Sequence, residues 1–159
     1  MKLEDLVIRK ISAEQTLPLR SSVLWPGAAQ FVIVPGDESA YHFGAFLPEF
    51  SDPISIISVF IDDLPEGVPS DALPRPVASG RIARFRKFAT HPDFQGKGIG
   101  SQLLSYACDY AKIELKAETI WCAARTASSG WYGKRELYAI GDRWMKGGHE
   151  YVKMSRMLC

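Results

Sequence analysis

The sequence predicts an α/β fold built as a single domain around a mixed sheet. Residues 84–124 follow the order strand, helix, strand, which is the pattern of a βαβ unit and requires a parallel strand pair. Strand-like segments also precede and follow this unit. The last two are joined by the short turn Lys146-Gly147-Gly148-His149, which favours an antiparallel hairpin. We therefore expect one domain over residues 1–159.

Composition excludes several classes of protein. The chain has 159 residues, of which 47% are hydrophobic and 23% charged, and these are ordinary globular values. The net charge of +1 does not suggest a nucleic-acid partner. No apolar run reaches membrane-spanning length, and the N-terminus lacks the apolar core of a signal peptide. The three cysteines show no metal-ligand spacing, so we expect no metal site and a reducing cytoplasm.

The N-terminal third contains three predicted strands and one helix. Residues 6–11 form the first strand, and a helix follows from Ser12, in which Pro18 indicates a late start or a kink. The stretch up to Ala40 is expected to be a loop. Two further strands are predicted over residues 41–47 and 54–61.

Residues 62–79 lack any hydrophobic periodicity. The segment contains four prolines, Pro65, Pro69, Pro74 and Pro76. A loop of this length in a compact domain is usually functional or disordered.

The next strand, over residues 80–90, has an irregular pattern. Phe85 and Phe88 are three residues apart and cannot both face one core in a regular strand. Either the strand is buried on both faces, or a β-bulge occurs near Arg86 or Lys87.

Helical periodicity begins after this strand. The apolar residues Ile99, Leu103, Ala107 and Ala111 recur at helical spacing. Residues 119–124 form a continuous apolar run, which suits a strand covered on both faces. A short helix over residues 128–136 and strands over 138–144 and 151–157 complete the chain.

Three glycines, Gly96, Gly98 and Gly100, lie between the irregular strand and the long helix. Backbone N–H groups at a helix N-terminus lack helical acceptors, glycine allows close approach to the backbone, and the helix dipole favours an anion. The turn therefore suits a phosphate, with Lys97 as an additional charge. The pattern is not a P-loop, because no Gly-Lys-Ser/Thr follows a four-residue spacer. It is not a dinucleotide fingerprint either, because Ser101 takes the place of the last required glycine. On spacing alone, a glycine-rich turn without a ligand remains open.

The run Gln95-Gly96-Lys97-Gly98-Ile99-Gly100 resembles the Arg/Gln-x-x-Gly-x-Gly/Ala motif of the GNAT N-acetyltransferase superfamily. The upstream "FATHPDF" and the downstream "IWCAARTASSGWYGK" also resemble that family. The resemblance is strongest over residues 85–134. It implies a GNAT-like fold, with a mostly antiparallel twisted sheet, a central splayed parallel strand pair and helices on both faces.

The resemblance also implies a cosubstrate, acetyl-CoA. Its pyrophosphate would lie on the turn, and its pantetheine would run beside the irregular strand. The residues implied in binding it are Phe88, Ala89, Thr90, Gln95, Gly96, Lys97, Gly98, Ile99, Gly100, Ser101 and Arg125.

By the same resemblance, Tyr132 is the catalytic acid that protonates the departing thiolate, and the N–H of Phe88 or Ala89 stabilises the oxyanion. The acceptor would be an amine on a small molecule or a peptide. The general base is open between His42, His149 and a water-mediated path. Cys122 is interpreted as an inert buried thiol.

Three functions are weighed. The first is an acetyl-CoA-dependent N-acetyltransferase, and the second is a non-catalytic acyl-CoA-binding module. The third is a nucleotide-binding or regulatory protein that uses the same phosphate turn without acyl chemistry. We expect residues 26–40 and 62–79 to line the acceptor site. The sequence leaves open which amine is accepted and whether the chain forms a homodimer.

Overall fold

The computed structural model describes residues 2–62, Leu73 and residues 81–158. Its three α-helices are α1 (Ala13–Leu19), α2 (Ile99–Ile113) and α3 (Ser129–Gly133). Its strands are β1 (Val7–Ile11), β2 (Tyr41–Phe46), β3 (Ser55–Ile61), β4 (Ile82–Thr90), β5 (Thr119–Arg125), β6 (Tyr138–Lys146) and β7 (His149–Met157).

The strands form one seven-stranded sheet in the order β1-β2-β3-β4-β5-β7-β6. β4 and β5 are parallel, whereas the pairs β1–β2, β2–β3, β5–β7 and β6–β7 are antiparallel. The predicted mixed sheet with a parallel pair inside it is therefore confirmed. The parallel ladder consists of Ile82–Thr119, Ala83–Ile120 and Arg84–Trp121.

Helix α1 begins with a capping box. The Ser12 hydroxyl accepts from the Gln15 N–H at 3.3 Å, and the Gln15 side chain accepts from the Ser12 N–H at 2.9 Å. Pro18 lies inside this helix, which then widens into a π-helical turn over Arg20–Leu24. The late start that Pro18 suggested is wrong, because the helix begins at Ala13. Proline removes one helical hydrogen bond, which accounts for the irregular turn that follows it.

Three elements differ from the sequence prediction by two residues or more. One is β7, which begins at His149 and not at Tyr151. The helix after β5 is shorter than residues 128–136, because it contains only Ser129–Gly133 after a 3-10 turn at Thr126–Ser128. The left-handed backbone of Glu136, with φ of +66°, lies beyond its end. β6 is longer than predicted and reaches Lys146, immediately before the hairpin glycines.

The chain divides into two compact units. The first contains the described residues up to Phe60 together with Phe85–Ala107, and the second contains those of Ile61–Arg84 and from Cys108 onward. Two apolar clusters stabilise the first unit: Ile11, Leu19, Phe46, Ile56 and Ala89 in one, and Ala45, Leu47, Ile54 and Ile99 in the other. In the second unit, the buried side chains include Leu115, Ile120, Trp121, Leu137, Val152 and Met154.

The predicted loop over residues 62–79 lies outside the described residues, except for Asp62 and Leu73. Gly80, the predicted start of β4, lies outside them as well. The N–H of Asp62 donates to the carbonyl of Ile82 at 2.9 Å. Among the described residues, no helix is both long and apolar enough to cross a membrane.

Candidate active site

The glycine turn joins β4 to α2, as predicted. Gly96 and Gly98 have φ of +75° and +83°, so both positions need the left-handed backbone that glycine adopts without strain. No atom lies within 4 Å of a Cβ built at either position. The turn therefore presents an open backbone surface at the start of α2, where Ile99 is buried against Ala45, Leu47 and Ile54.

The N–H groups of this turn are available to a ligand. Within the described part of the chain, the N–H groups of Gly96, Lys97 and Gly98 donate to no protein acceptor. The Gly98 carbonyl already accepts from Gln102 N at 3.2 Å, which places Gly98 at the N-cap of α2. The helix dipole and the exposed Lys97 side chain add positive charge at the same place. The arrangement can bind a phosphate or a pyrophosphate.

Side-chain contacts hold the turn against the end of β4. The Gln95 side-chain amide donates to the carbonyl of Thr90 at 2.9 Å. A Cβ on Gly100 would lie 3.4 Å from Phe88 Cζ and 3.5 Å from Thr90 Oγ1, so the first turn of α2 packs closely on β4. A Cβ at this distance would make ordinary contact, so neither φ nor the space around it requires glycine at position 100.

Ser55 is a supporting residue that the sequence analysis missed. Its buried hydroxyl donates to the carbonyl of Ala89 at 3.2 Å and lies 2.8 Å from Thr90 Oγ1. Because the single Ser55 proton is used on Ala89, the Thr90 hydroxyl is the donor of the second bond. The only available signal was a serine within the apolar run Ile54-Ser55-Ile56.

Of the two alternatives that the sequence left open for β4, the structure shows the backbone irregularity, and it lies at Lys87. Lys87 has φ of +54°, a left-handed backbone in the middle of a strand. The Phe85 and Phe88 rings then meet edge to face, with centroids 6.1 Å apart. Residues three apart in a regular strand would point to opposite faces, so the turn of the backbone at Lys87 brings these two rings together.

Tyr132 lies in the short helix α3 and is half-buried. Its ring meets that of Trp131 edge to face at 5.1 Å, and its carbonyl accepts from the Leu137 N–H at 3.1 Å. Burial, with a smaller contribution from the nearby Cys122, raises the pKa of the Tyr132 phenol far above its usual value. The hydroxyl therefore keeps its proton across the neutral range.

Arg125 ends β5, in the same compact unit as Tyr132. It is half-buried and pairs with Tyr151 of β7. The structure brings Phe88, Ala89, Thr90 and the 95–101 turn together in the first unit, whereas Arg125 and Tyr132 belong to the second.

The buried cysteines are not suited to nucleophilic chemistry. Burial raises the pKa of the Cys108 thiol to about 11 and raises that of Cys122 still further. Because the thiolate is the reactive form, both side chains behave as small apolar residues. This agrees with the interpretation of Cys122 as an inert thiol.

His42 is not suited to act as the general base that deprotonates the acceptor amine. It is 3% exposed, its Nε2 donates to the carbonyl of Asp37 at 2.8 Å, and its Nδ1 lies 2.7 Å from Ser58 Oγ. Both ring nitrogens are therefore used inside the protein. Of the other histidines, His91 accepts from the Asp93 N–H at 3.1 Å and His149 is exposed in β7.

Comparison with known proteins agrees with this geometry. The acetyltransferase (GNAT) domain family matches residues 59–137. No curated protein sequence matches the chain.

Several solved structures share the fold. One, from Lactobacillus plantarum and assigned as an N-acetyltransferase, is 18% identical with a TM-score of 0.73, over 97% of this chain and 99% of the other. The NatC complex bound to Gag peptide and CoA contains a chain that is 13% identical with a TM-score of 0.71, over 98% and 99%. A GNAT family acetyltransferase from Elizabethkingia anophelis with acetyl-CoA bound is 14% identical with a TM-score of 0.65, over 98% and 99%. With the family match and the shared fold, the chain belongs to the GNAT acetyltransferase superfamily.

Proposed function

We propose that this protein is an acetyl-CoA-dependent N-acetyltransferase that acts on a primary amine of a small molecule or a peptide. The observation that carries the proposal is the glycine turn. Gly96 and Gly98 adopt left-handed backbone conformations at the start of α2, and their N–H groups have no acceptor among the described residues. This arrangement suits the pyrophosphate of CoA, and two of the structural neighbours contain CoA or acetyl-CoA.

The proposed cosubstrate contacts follow the turn and the end of β4. The N–H groups over residues 95–101 would bind the pyrophosphate, and Lys97 would add a charge at the rim. Phe88, Ala89 and Thr90 would bind the pantetheine end, where Ser55 and Gln95 already hold the backbone of β4. Arg125 is proposed as a further cosubstrate contact by its match to the family pattern.

The proposed reaction is direct attack within a ternary complex. The acceptor ammonium loses a proton, and the free amine attacks the thioester carbonyl to form a C–N bond. A backbone N–H, that of Phe88 or Ala89, stabilises the oxygen that becomes negative. The nitrogen then gives up its second proton to the base or to water, the C–S bond breaks, and the thiolate of CoA receives a proton.

Tyr132 is proposed as the donor of that proton. A phenol whose pKa is raised by burial is fully protonated before the reaction, which the role requires. The same shift makes it a weaker acid than free tyrosine. We therefore expect its contribution to begin as a hydrogen bond to the developing thiolate, with transfer as the C–S bond breaks.

Calorimetry and a thiol-release assay test the proposal. The protein is titrated with acetyl-CoA and with ATP, and thiol release from acetyl-CoA is measured with tyramine, spermidine and a lysine-containing peptide that has a free N-terminus. We expect binding of acetyl-CoA and amine-dependent thiol release. Binding without thiol release would instead indicate a non-catalytic acyl-CoA-binding module, and preference for ATP would indicate a nucleotide-binding protein.

A further inference from the structure

Lys87 has an unusual backbone and an unusual side-chain environment. Its φ of +54° is a conformation that residues with a Cβ rarely adopt, and it occurs within a strand. Its ammonium donates to the carbonyl of Phe31 and lies 5.5 Å from the centroid of the Trp25 ring. The side chain is therefore held at two points, both in the segment between α1 and β2.

Two consecutive carbonyls in the segment between α1 and β2, those of Phe31 and Val32, each accept a hydrogen bond from a cationic side chain. A 3-10 turn spans Ala29–Phe31, and the Phe31 carbonyl accepts from Lys87. The next carbonyl, of Val32, accepts from the buried guanidinium of Arg20 at 3.0 Å. Cations at the carbonyl end of a helical turn are favourable. Lys87 and Arg20 thus bind consecutive carbonyls of the same segment.

Arg20 ties that segment to Asp37 and to β3. Its guanidinium binds both carboxylate oxygens of Asp37, at 2.8 and 3.0 Å, and also donates to Ser58 Oγ on β3 at 2.9 Å. A bidentate pair of this kind fixes the direction of both side chains. The Phe31 carbonyl therefore has a defined position relative to β3.

The backbone conformation of Lys87 affects the N–H group of the next residue, Phe88. The peptide group between Lys87 and Phe88 contains the N–H of Phe88, one of the two proposed oxyanion donors. Its orientation depends on the backbone conformation of Lys87, which has a left-handed φ. The Phe88 ring is fixed on the other side, against Phe85 and beside Gly100. A left-handed backbone is energetically costly for a residue with a Cβ, so contacts in the folded protein must offset this cost, and those of the Lys87 ammonium are among them.

We propose that Lys87 is a positioning residue: by binding the Phe31 carbonyl and the Trp25 ring, its ammonium holds the β4 backbone in the conformation that orients the Phe88 N–H for catalysis. This inference rests on the proposed acetyltransferase function. It also makes the segment between α1 and β2 part of the catalytic apparatus, because the position of its carbonyl decides the geometry of a group that touches the substrate.

The test compares three forms of position 87 with a matched control. Lys87→Met keeps the length of the side chain and removes the ammonium. Lys87→Cys, alkylated with 2-bromoethylamine, restores an ammonium at nearly the same place, with Cys108 and Cys122 protected by burial and raised pKa values. Lys10→Met is the control, because it removes a cation 5.1 Å from the Tyr41 ring, outside the proposed site.

We expect Lys87→Met to lower the single-turnover rate of thiol release by about tenfold or more, since loss of a whole oxyanion donor costs about 10²- to 10³-fold. The dissociation constant of acetyl-CoA should stay within about threefold, and amide exchange over residues 25–34 should become faster. Aminoethylation of Lys87→Cys should restore most of the rate, and the same treatment of the wild-type protein controls for modification of Cys159. Lys10→Met should leave rate and exchange unchanged.

The outcomes separate this inference from the proposed function. A wild-type rate in Lys87→Met, with wild-type turnover intact, would overturn the positioning role alone. An equal loss of rate in Lys10→Met, or no rescue by the aminoethyl side chain when alkylation is complete, would overturn it too. Absence of amine-dependent thiol release in the wild-type protein would overturn the proposed function and this inference together.

Discussion

The side-chain amide of Gln95 donates to the carbonyl of Thr90 at 2.9 Å, which ties the first residue of the glycine turn to the last residue of β4. The turn is therefore held in place by a hydrogen bond to the strand that precedes it. Both the turn and the end of β4 are proposed to contact CoA. The Gln95–Thr90 hydrogen bond should therefore contribute to the affinity for CoA, although it makes no contact with the acyl group.

Gln95→Ala should weaken CoA binding moderately. Gln95 is exposed, and a single hydrogen bond contributes about 0.5–1.5 kcal/mol, which corresponds to a change of about two- to tenfold in the dissociation constant. Gln102→Ala, an exposed position on α2, is the matched control and should leave affinity unchanged. Calorimetric titration with CoA measures both. Equal affinities for the two variants would contradict the role of the Gln95–Thr90 bond.

Gly98→Asp should abolish detectable CoA binding while the fold survives. The substitution places a negative charge at the proposed pyrophosphate site and a Cβ on a residue with φ of +83°. Gly148→Asp is the control, since Gly148 has φ of +81° and equally open space, but lies in the β6–β7 hairpin. Both variants should lose similar thermal stability. If Gly98→Asp binds CoA as tightly as Gly148→Asp, the glycine turn does not bind the pyrophosphate of CoA.

Tyr132→Phe should lower turnover by about 10²- to 10⁴-fold, the usual cost of losing a general acid. The change removes only the hydroxyl, so the ring contact with Trp131 and the affinity for acetyl-CoA should be retained. Tyr138→Phe, at an exposed position on β6, provides the control. The measurement is single-turnover thiol release beside calorimetry. Full turnover in Tyr132→Phe would refute the assignment, and a selective loss of acetyl-CoA binding would show that Tyr132 positions the cosubstrate instead.

The buried ion pair of Arg20 and Asp37 should contribute strongly to the unfolding free energy. Arg20 is fully buried, and removing the carboxylate leaves its charge without an ionic partner. Asp37→Asn should therefore cost about 3–5 kcal/mol of unfolding free energy. Chemical denaturation measures this cost. Glu38→Gln, the exposed neighbour, should cost almost nothing, and a comparable loss there would contradict the assignment.

The same pair predicts a pH dependence. Desolvation raises the pKa of Asp37, but the hydrogen bonds from Arg20 and the Val34 N–H, together with the Arg20 charge, outweigh it and leave the pKa below the usual value. A carboxylate with a lowered folded-state pKa stabilises the fold above its unfolded pKa, and this stability is lost as the pH falls through the folded-state pKa. The stability difference between wild type and Asp37→Asn should therefore shrink as the pH falls below the usual carboxyl pKa of 3.8. A constant difference below that pH would argue against the ionised pair.

The sequence by itself determined the parts of this protein that depend on neighbouring residues. The strands, the long helix after Ile99 and the glycine turn follow from short-range periodicity and from glycine's backbone freedom. Even the irregularity at Lys87 was readable, because Phe85 and Phe88 stand at a spacing that a regular strand cannot bury on one face.

Only the tertiary structure decided what depends on residues far apart in the chain. β7 lies between β5 and β6, an order that a hairpin pattern does not encode because either strand could pair with β5. Arg20 meets Asp37 and Ser58, which are 17 and 38 residues away, so His42 becomes part of a buried network and not a base. Lys87 reaches a carbonyl 56 residues earlier. Such contacts form only when the chain has folded, because nothing local in the sequence selects one distant partner over another.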